Sequence, residues 1–282
     1  MTKSEKYVLI TGASSGIGES SALMLAGMGF KVFAGVRKDE DAQRLGANTN
    51  ITPVFIDVND HPSVDRAYSL IAEKVGDDGL WGLVNNAGIA VPGALEFLPI
   101  DRLRYQMETN FIGQVKATQT FLPLIRKAGG RIVNISSIAG LISFPFNGAY
   151  NASKYAVEAF TDSLRRELAP WGIHVCAIQS GVILTNIWQR ALDSSKDLKD
   201  NMSKEEEEYY LPYYSAKLEK MWDKIGKQAI SADYVAKAVL NALTTKRPRA
   251  RYLVGKDAML VNLLRHLPHW FVDKLMALRP LS

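Results

Sequence analysis

The chain has 282 residues, enough for one large domain with a substantial buried core. An apolar fraction of 47% excludes a disordered chain, and a net charge of +5 spread over mixed acids and bases excludes the clustered positive face of a nucleic-acid binder. A single cysteine, Cys176, excludes an internal disulfide and reads as a buried thiol in a reducing compartment.

The start, MTKSEKYVLITG, lacks the anatomy of a signal peptide, and no apolar run is long enough to span a bilayer, so a cytoplasmic protein is expected. Short Val- and Ile-rich runs then predict strands at 7–11, 31–36, 52–57, 80–85, 131–136, 173–178 and 251–255. Helical patterns fall between them, at 16–28, 62–75, 101–127, 150–169 and 231–243. Several strands are apolar on both faces, as strands covered by helices on each side must be. The alternation predicts an α/β fold: a three-layer, doubly wound parallel sheet of the Rossmann type, about seven strands in a single domain over 1–282.

Two segments break the rhythm. From 183 to 230 no strand is predicted, and the stretch is rich in charge and in aromatics such as Trp188, Tyr209, Tyr210, Tyr213, Tyr214 and Trp222. Its place after the sixth strand suggests a substrate lid, because ligands sit at that edge of an open α/β sheet. The last stretch, 256–282, is amphipathic, and Pro268 should divide it into two short helices. Burial against the domain or a partner subunit is its ordinary fate, and contact with a membrane surface is the alternative. The basic cluster KRPRAR, Lys246 to Arg251, reads as a solvated loop.

After the first strand comes LITGASSGIGES, in which Gly12, Gly16 and Gly18 carry the pattern G-x-x-x-G-x-G at the start of a helix. Bare backbone N–H groups at a positive helix end suit a phosphate. The same letters, Gly12-Ala13-Ser14-Ser15-Gly16, match the nucleophile elbow G-x-S-x-G of the α/β-hydrolases, with His174, His266 and His269 as partners further on. A hydrolase is therefore the rival reading, although its nucleophile normally follows several strands. Beyond the second strand, Val36 stands where an NAD-binding acid would sit, and Arg37 follows. A guanidinium there suits a 2′-phosphate and favours NADP(H), while Asp39, Glu40 and Asp41 close by keep NAD(H) open.

Tyr150 precedes Lys154 by four residues in AYNASKYAVEAF, which places both on one helical face. Tyr213–Lys217 and Tyr252–Lys256 repeat the spacing, so spacing alone selects none of them. Only Tyr150 has a serine, Ser137, at the end of the preceding strand and hence on the adjacent rim of one cleft. Candidates for an apolar pocket beside them are Ile89, Val91, Ile138, Leu141, Phe144, Phe146, Ile183, Ile187 and Trp188, which together suit a bulky hydrophobic alcohol or ketone.

The ordered set TGASSGIG (11–18), NNAG (85–88), Asn110 in TNFIG, Ser137 in VNISS and YNASK (150–154) resembles the short-chain dehydrogenase/reductase family over nearly the whole chain. KVFAGVRK and RPRARYLVGKDA lean toward members acting on hydroxysteroids, retinoids and related lipids. The resemblance implies Asn110, Ser137, Tyr150 and Lys154 as the catalytic set, with Asn110 holding a water that links Lys154 to solvent. It implies cofactor contacts at Gly12, Ser14, Ser15, Gly16, Ile17 and Gly18, at Arg37, Asp57 and Val58, at Asn85, Ala87 and Gly88, and at Tyr150, Lys154, Gly181, Val182 and Thr185. No metal is implied. Tyr150 would exchange the substrate's proton, its pKa lowered from about 10 by the Lys154 ammonium. Ser137 would hold the substrate oxygen. Helices 101–127 and 150–169 would form the face of a homodimer or homotetramer. A dinucleotide-binding regulator without chemistry is a second reading, against which the four retained catalytic residues count. In one departure, Ser180-Gly181 replaces the family's usual Pro-Gly after the sixth strand, and the loop there is expected to be less rigid.

Overall fold

A computed structural model describes residues 5–185, 187, 191, 202–213 and 229–277. The Val- and Ile-rich runs form strands β1 (Tyr7–Ile10), β2 (Lys31–Val36), β3 (Ile51–Phe55), β4 (Gly82–Asn85), β5 (Arg131–Ser137), β6 (His174–Ser180) and β7 (Arg251–Val254). Their order in the sheet is β3-β2-β1-β4-β5-β6-β7, and every pairing is parallel. Helices α1 (Gly16–Gly27), α2 (Asp39–Gly46), α3 (His61–Val75), α4 (Ile100–Met107), α5 (Gly113–Ala128), α6 (Gly148–Leu168) and α7 (Ala232–Thr244) lie between strands, and α8 (Lys256–Leu264) and α9 (His269–Met276) follow β7.

Strand periodicity sends alternate side chains to opposite faces. Val8 and Ile10 join Leu25, Val84, Val133, Val239 and Leu243 in the core beneath α1 and α7. Tyr7 and Leu9 join Ile71, Phe121, Ile125, Ile132 and Leu164 beneath α3, α5 and α6. Both faces are therefore apolar, and the result is a single three-layer domain. The winding direction reverses between β1 and β4, which opens a crevice beyond the carboxyl ends of the strands.

The structure departs from expectation in three places. The helix expected over 101–127 is α4, a π-helical turn at Glu108–Ile112, and α5. Inside that turn Asn110 bonds a neighbouring segment: its Nδ2 donates to the Ile89 carbonyl at 3.0 Å and its Oδ1 accepts from the Ile89 N–H at 2.8 Å. Such turns recur at functional sites. Helix α2 was not expected; Asp39, Glu40 and Asp41 form its first turn, where the positive helix end favours acids. Within 183–230, residues 204–213 are helical and Ile183 pairs with Ile230 in an isolated parallel bridge.

From that helical piece Tyr210 donates to Glu96 Oε2 at 2.7 Å and meets Phe97 and Phe146 edge-on. Much of the expected lid, including Trp188, Tyr214 and Trp222, lies outside the described residues. The C-terminal extension does break at Pro268. Helix α8 buries Ala258 and Val261 against Ile138, Leu141 and Ile142, while Met259, Leu260, Leu263, Trp270 and Leu275 are exposed. No described helix is long and apolar enough to cross a membrane.

Phe121 of α5 is wholly buried at the centre of the second core face. Phe121→Ala should lower the unfolding free energy by about 3–5 kcal/mol, measured by urea denaturation.

Candidate active site

The crevice at the reversal of the sheet is one continuous cleft. Its floor is the turn from β1 to α1, where Gly12, Ser14, Ser15, Gly16 and Ile17 all contribute lining. Gly16 has φ +58, a left-handed conformation that a side chain disfavours, and a Cβ there would lie 2.9 Å from Thr185 Cγ2. Gly18 adds no lining; it packs under the turn, where a Cβ would lie 2.4 Å from the Gly12 carbonyl oxygen. The floor is bare backbone at the amino end of a twelve-residue helix, and so these residues fit a dinucleotide phosphate.

The outer end of the cleft is formed by Gly35, Val36, Arg37, Ile56, Asp57 and Val58. The Arg37 guanidinium is largely exposed and donates to Asp57 Oδ2 at 3.5 Å. The nearby acids do not all face the cleft mouth unpaired. Asp41 bonds Arg44 at 3.0 Å, and Arg44 also pairs with Glu19 and donates to the Ser14 carbonyl at 2.7 Å. Arg44 thereby steadies the glycine turn, a role the sequence did not suggest.

The middle wall holds Ala87, Gly88 and Ile89. Here the structure moves one expected contact by a residue. Asn85 is fully buried in the sheet, where its Nδ2 donates to Thr118 Oγ1 and Asn134 Oδ1 at 2.9 Å each, and Asn86 lines the cleft instead. Asn86 Nδ2 donates to the Thr11 and Gly12 carbonyls, both at 2.9 Å, and Thr11 Oγ1 accepts from the N–H groups of Asn86 and Ala87. On the far side Ser180, Gly181, Ile183, Thr185 and Ile187 contribute lining, whereas Val182 is buried behind it.

The inner end brings together Ser137, Tyr150 and Lys154. Ser137 ends β5 in extended conformation and its Oγ accepts from the Ala139 N–H at 3.2 Å, which fixes the rotamer. Tyr150 stands in the first turn of α6 and lines the same inner end of the cleft as Ser137. One turn on, Lys154 is buried; its Nζ donates to the Ile135 carbonyl at 2.9 Å and lies 5.5 Å from the Tyr150 ring centroid. Asn110 is behind this wall rather than on it. Its amide is engaged with Ile89 and with Ser153 Oγ at 3.1 Å, so the side chain visibly clamps Ile89 to α6.

The electrostatics run opposite to the expected depression of the phenol. Burial pushes the Tyr150 pKa up to about 12, and the hydrogen bond with Ser137 only partly opposes it. Burial pulls Lys154 down to about 8, partly offset by the Glu158 carboxylate. Burial thus disfavours the charged form of each group.

Of the apolar candidates, Ile89, Ile183 and Ile187 line the cleft. Val91 packs with Leu98 and Ala149, and Ile138, Leu141 and Phe144 pack under α8. The rival elbow gains no support: Ser14 lines the cleft, but none of His61, His174, His266 and His269 does. His174 opens β6, at the opposite sheet edge. Tyr252, of a repeated Tyr–Lys spacing, accepts from the Arg249 N–H at 3.1 Å and plays a structural part.

A cleft of this plan, on a parallel doubly wound sheet, defines an oxidoreductase of alcohol and carbonyl groups. Residues 6–196 match the family described as short chain dehydrogenase. Retinol dehydrogenase 16 of Mus musculus is 39% identical over 279 residues, covering 96% of this chain and 88% of that protein. The NADPH-dependent 3-dehydrocapnine reductase of Ornithobacterium rhinotracheale is 38% identical over 279 residues, 96% of this chain and 95% of that protein. The crystal structure of a short-chain dehydrogenase from Streptomyces avermitilis aligns with a TM-score of 0.79 at 28% identity, over 98% of this chain and 96% of that one. The chain belongs to the short-chain dehydrogenase/reductase family, on its retinol and hydroxysteroid dehydrogenase-like side.

The Lys154 shift has a sign that can be measured. Its folded pKa of about 8 lies below the 10.5 of an exposed lysine, so the unfolded chain alone holds the proton between those values. The cost is complete below about pH 8 and disappears as the pH rises to 10.5. Urea denaturation at a series of pH values should show the wild type gaining stability relative to Lys154→Met across that window.

Proposed function

We propose that the protein is an NADP(H)-dependent oxidoreductase that reduces a hydrophobic ketone or aldehyde, steroid-, retinoid- or lipid-like in character, or oxidises the corresponding alcohol. The observation that carries this reading is a single cleft that gathers Ser137, Tyr150 and Lys154 at its inner end, the glycine turn on its floor and Arg37 at its outer end. The glycine turn and the amino end of α1 would hold the diphosphate. Arg37 would hold a 2′-phosphate, and the NADPH dependence named for one relative supports that choice over NAD(H). Lys154 and Tyr150 would bind beside the nicotinamide ribose.

When bound, the reduced nicotinamide supplies hydride to the carbonyl carbon. In the same event the Tyr150 hydroxyl gives its proton to the carbonyl oxygen, and the product is an alcohol. Ser137 donates a hydrogen bond to that oxygen and stabilises the negative charge it develops. Protonated Lys154 then stabilises the phenolate left on Tyr150. Ile89, Ile183 and Ile187 give the substrate end an apolar lining. The outer faces of α5 and α6, with Arg126 stacked on an exposed Trp171, would join subunits in a dimer or tetramer. The exposed apolar side chains of α8 and α9 would face a second subunit or a membrane surface.

The test is NADPH oxidation with a panel of hydrophobic ketones, alongside NADPH titration by fluorescence. Tyr150→Phe should abolish turnover and leave NADPH affinity nearly unchanged. Arg37→Ala should weaken NADPH about tenfold or more and NADH little, since it removes a charge-assisted contact to the 2′-phosphate alone. Ordinary turnover by Tyr150→Phe would contradict the assignment.

A further inference from the structure

The wall after β6 lacks the proline that would stiffen it, yet the N–H groups of Gly181, Val182 and Leu184 all hold it to neighbouring segments. Gly181 N–H donates to the Val254 carbonyl at 2.9 Å, and Leu184 N–H donates to the Ile230 carbonyl at 2.9 Å. Ile230 N–H returns a bond to the Val182 carbonyl at 3.2 Å. The Val182 N–H takes a side chain as its acceptor instead. It donates at 2.7 Å to Oδ2 of Asp257, a side chain 75 residues away in the first turn of α8.

The seat of that carboxylate is built for it. Oδ1 of Asp257 accepts from the Ala258 N–H at 3.0 Å. A Cβ on Gly181 would lie 2.0 Å from Oδ1, and a Cβ on Gly255 would lie 2.4 Å from it. Only glycines leave this space, and Gly255 also has φ +111. The residues so held, Ser180, Gly181, Ile183 and Thr185, line the cleft opposite the glycine turn, and Thr185 reaches Gly16.

We infer that Asp257 is a positioning residue: its carboxylate takes the place of a rigid proline and fixes the β6 wall of the dinucleotide cleft against the first turn of α8. A charged acceptor makes the stronger class of hydrogen bond, and the acidic side chain also suits the positive end of that helix. The inference rests on the reading of the cleft as a dinucleotide site. It extends that reading by tying the cofactor wall to the C-terminal helices.

The experiment measures NADPH binding by fluorescence and thermal stability on the full chain, with no substrate present. Asp257→Ala should raise the NADPH Kd about tenfold, the scale for loss of a charge-assisted hydrogen bond. Asp257→Asn, which keeps an acceptor for Val182 N–H, should recover most of that affinity. If the alanine variant does not fold, Asp257→Glu carries the test, because it keeps the charge but needs room that Gly181 and Gly255 do not give; a raised Kd supports the inference. A variant with lowered Tm and wild-type Kd would show a merely structural carboxylate and overturn it. Asparagine no better than alanine would also overturn it. Failure of the wild type to bind any nicotinamide dinucleotide would overturn the cofactor reading and this inference together.

Discussion

The site depends on one buried hydrogen bond, from Lys154 Nζ to the Ile135 carbonyl. It ties α6 to β5 two residues before that strand ends in Ser137. With this distance fixed, the first turn of α6 has little choice but to place Tyr150 against Ser137. The two hydroxyls come from different elements and different layers, yet they converge on one point because strand end and helix start share an anchor. The neighbouring Asn110 clamp sets Ile89 against the same helix, so the inner cleft is held from two sides.

Burying that anchor has an electrostatic consequence. Burial raises the Tyr150 pKa and lowers that of Lys154, so each group takes its charge only at a cost.

Much of this was legible in the chain, and the limits have physical causes. The central strands β1, β2 and β4 could be read because they are buried on both faces and so are largely apolar. The Tyr150–Lys154 pair was legible only through Ser137, since three pairs share its spacing. Asn85 and Asn86 are alike in the chain, and only the structure shows that the first is buried at the end of β4 while the second, just past it, lines the cleft. The π-helical turn was hidden because what distorts the helix is a bond to Ile89, 21 residues away. Helix α2 is not marked in the chain because only Leu45 of its eight residues is buried, too few apolar positions to show a helical face. Asp257 gave no local signal, since its partner N–H is distant in sequence. A missing proline at the β6 loop pointed to looseness there, and the compensating carboxylate emerged only in three dimensions.

The central claim is that Ser137 and Tyr150 act on one oxygen as a unit. It is tested most directly by a double-mutant cycle on single-turnover NADPH oxidation, comparing the wild type, Ser137→Ala, Tyr150→Phe and the double variant. Groups that act together are strongly non-additive, so the double variant should be no more than about threefold slower than Tyr150→Phe alone. Losses that multiply would mean that the two hydroxyls act independently, and would contradict the account.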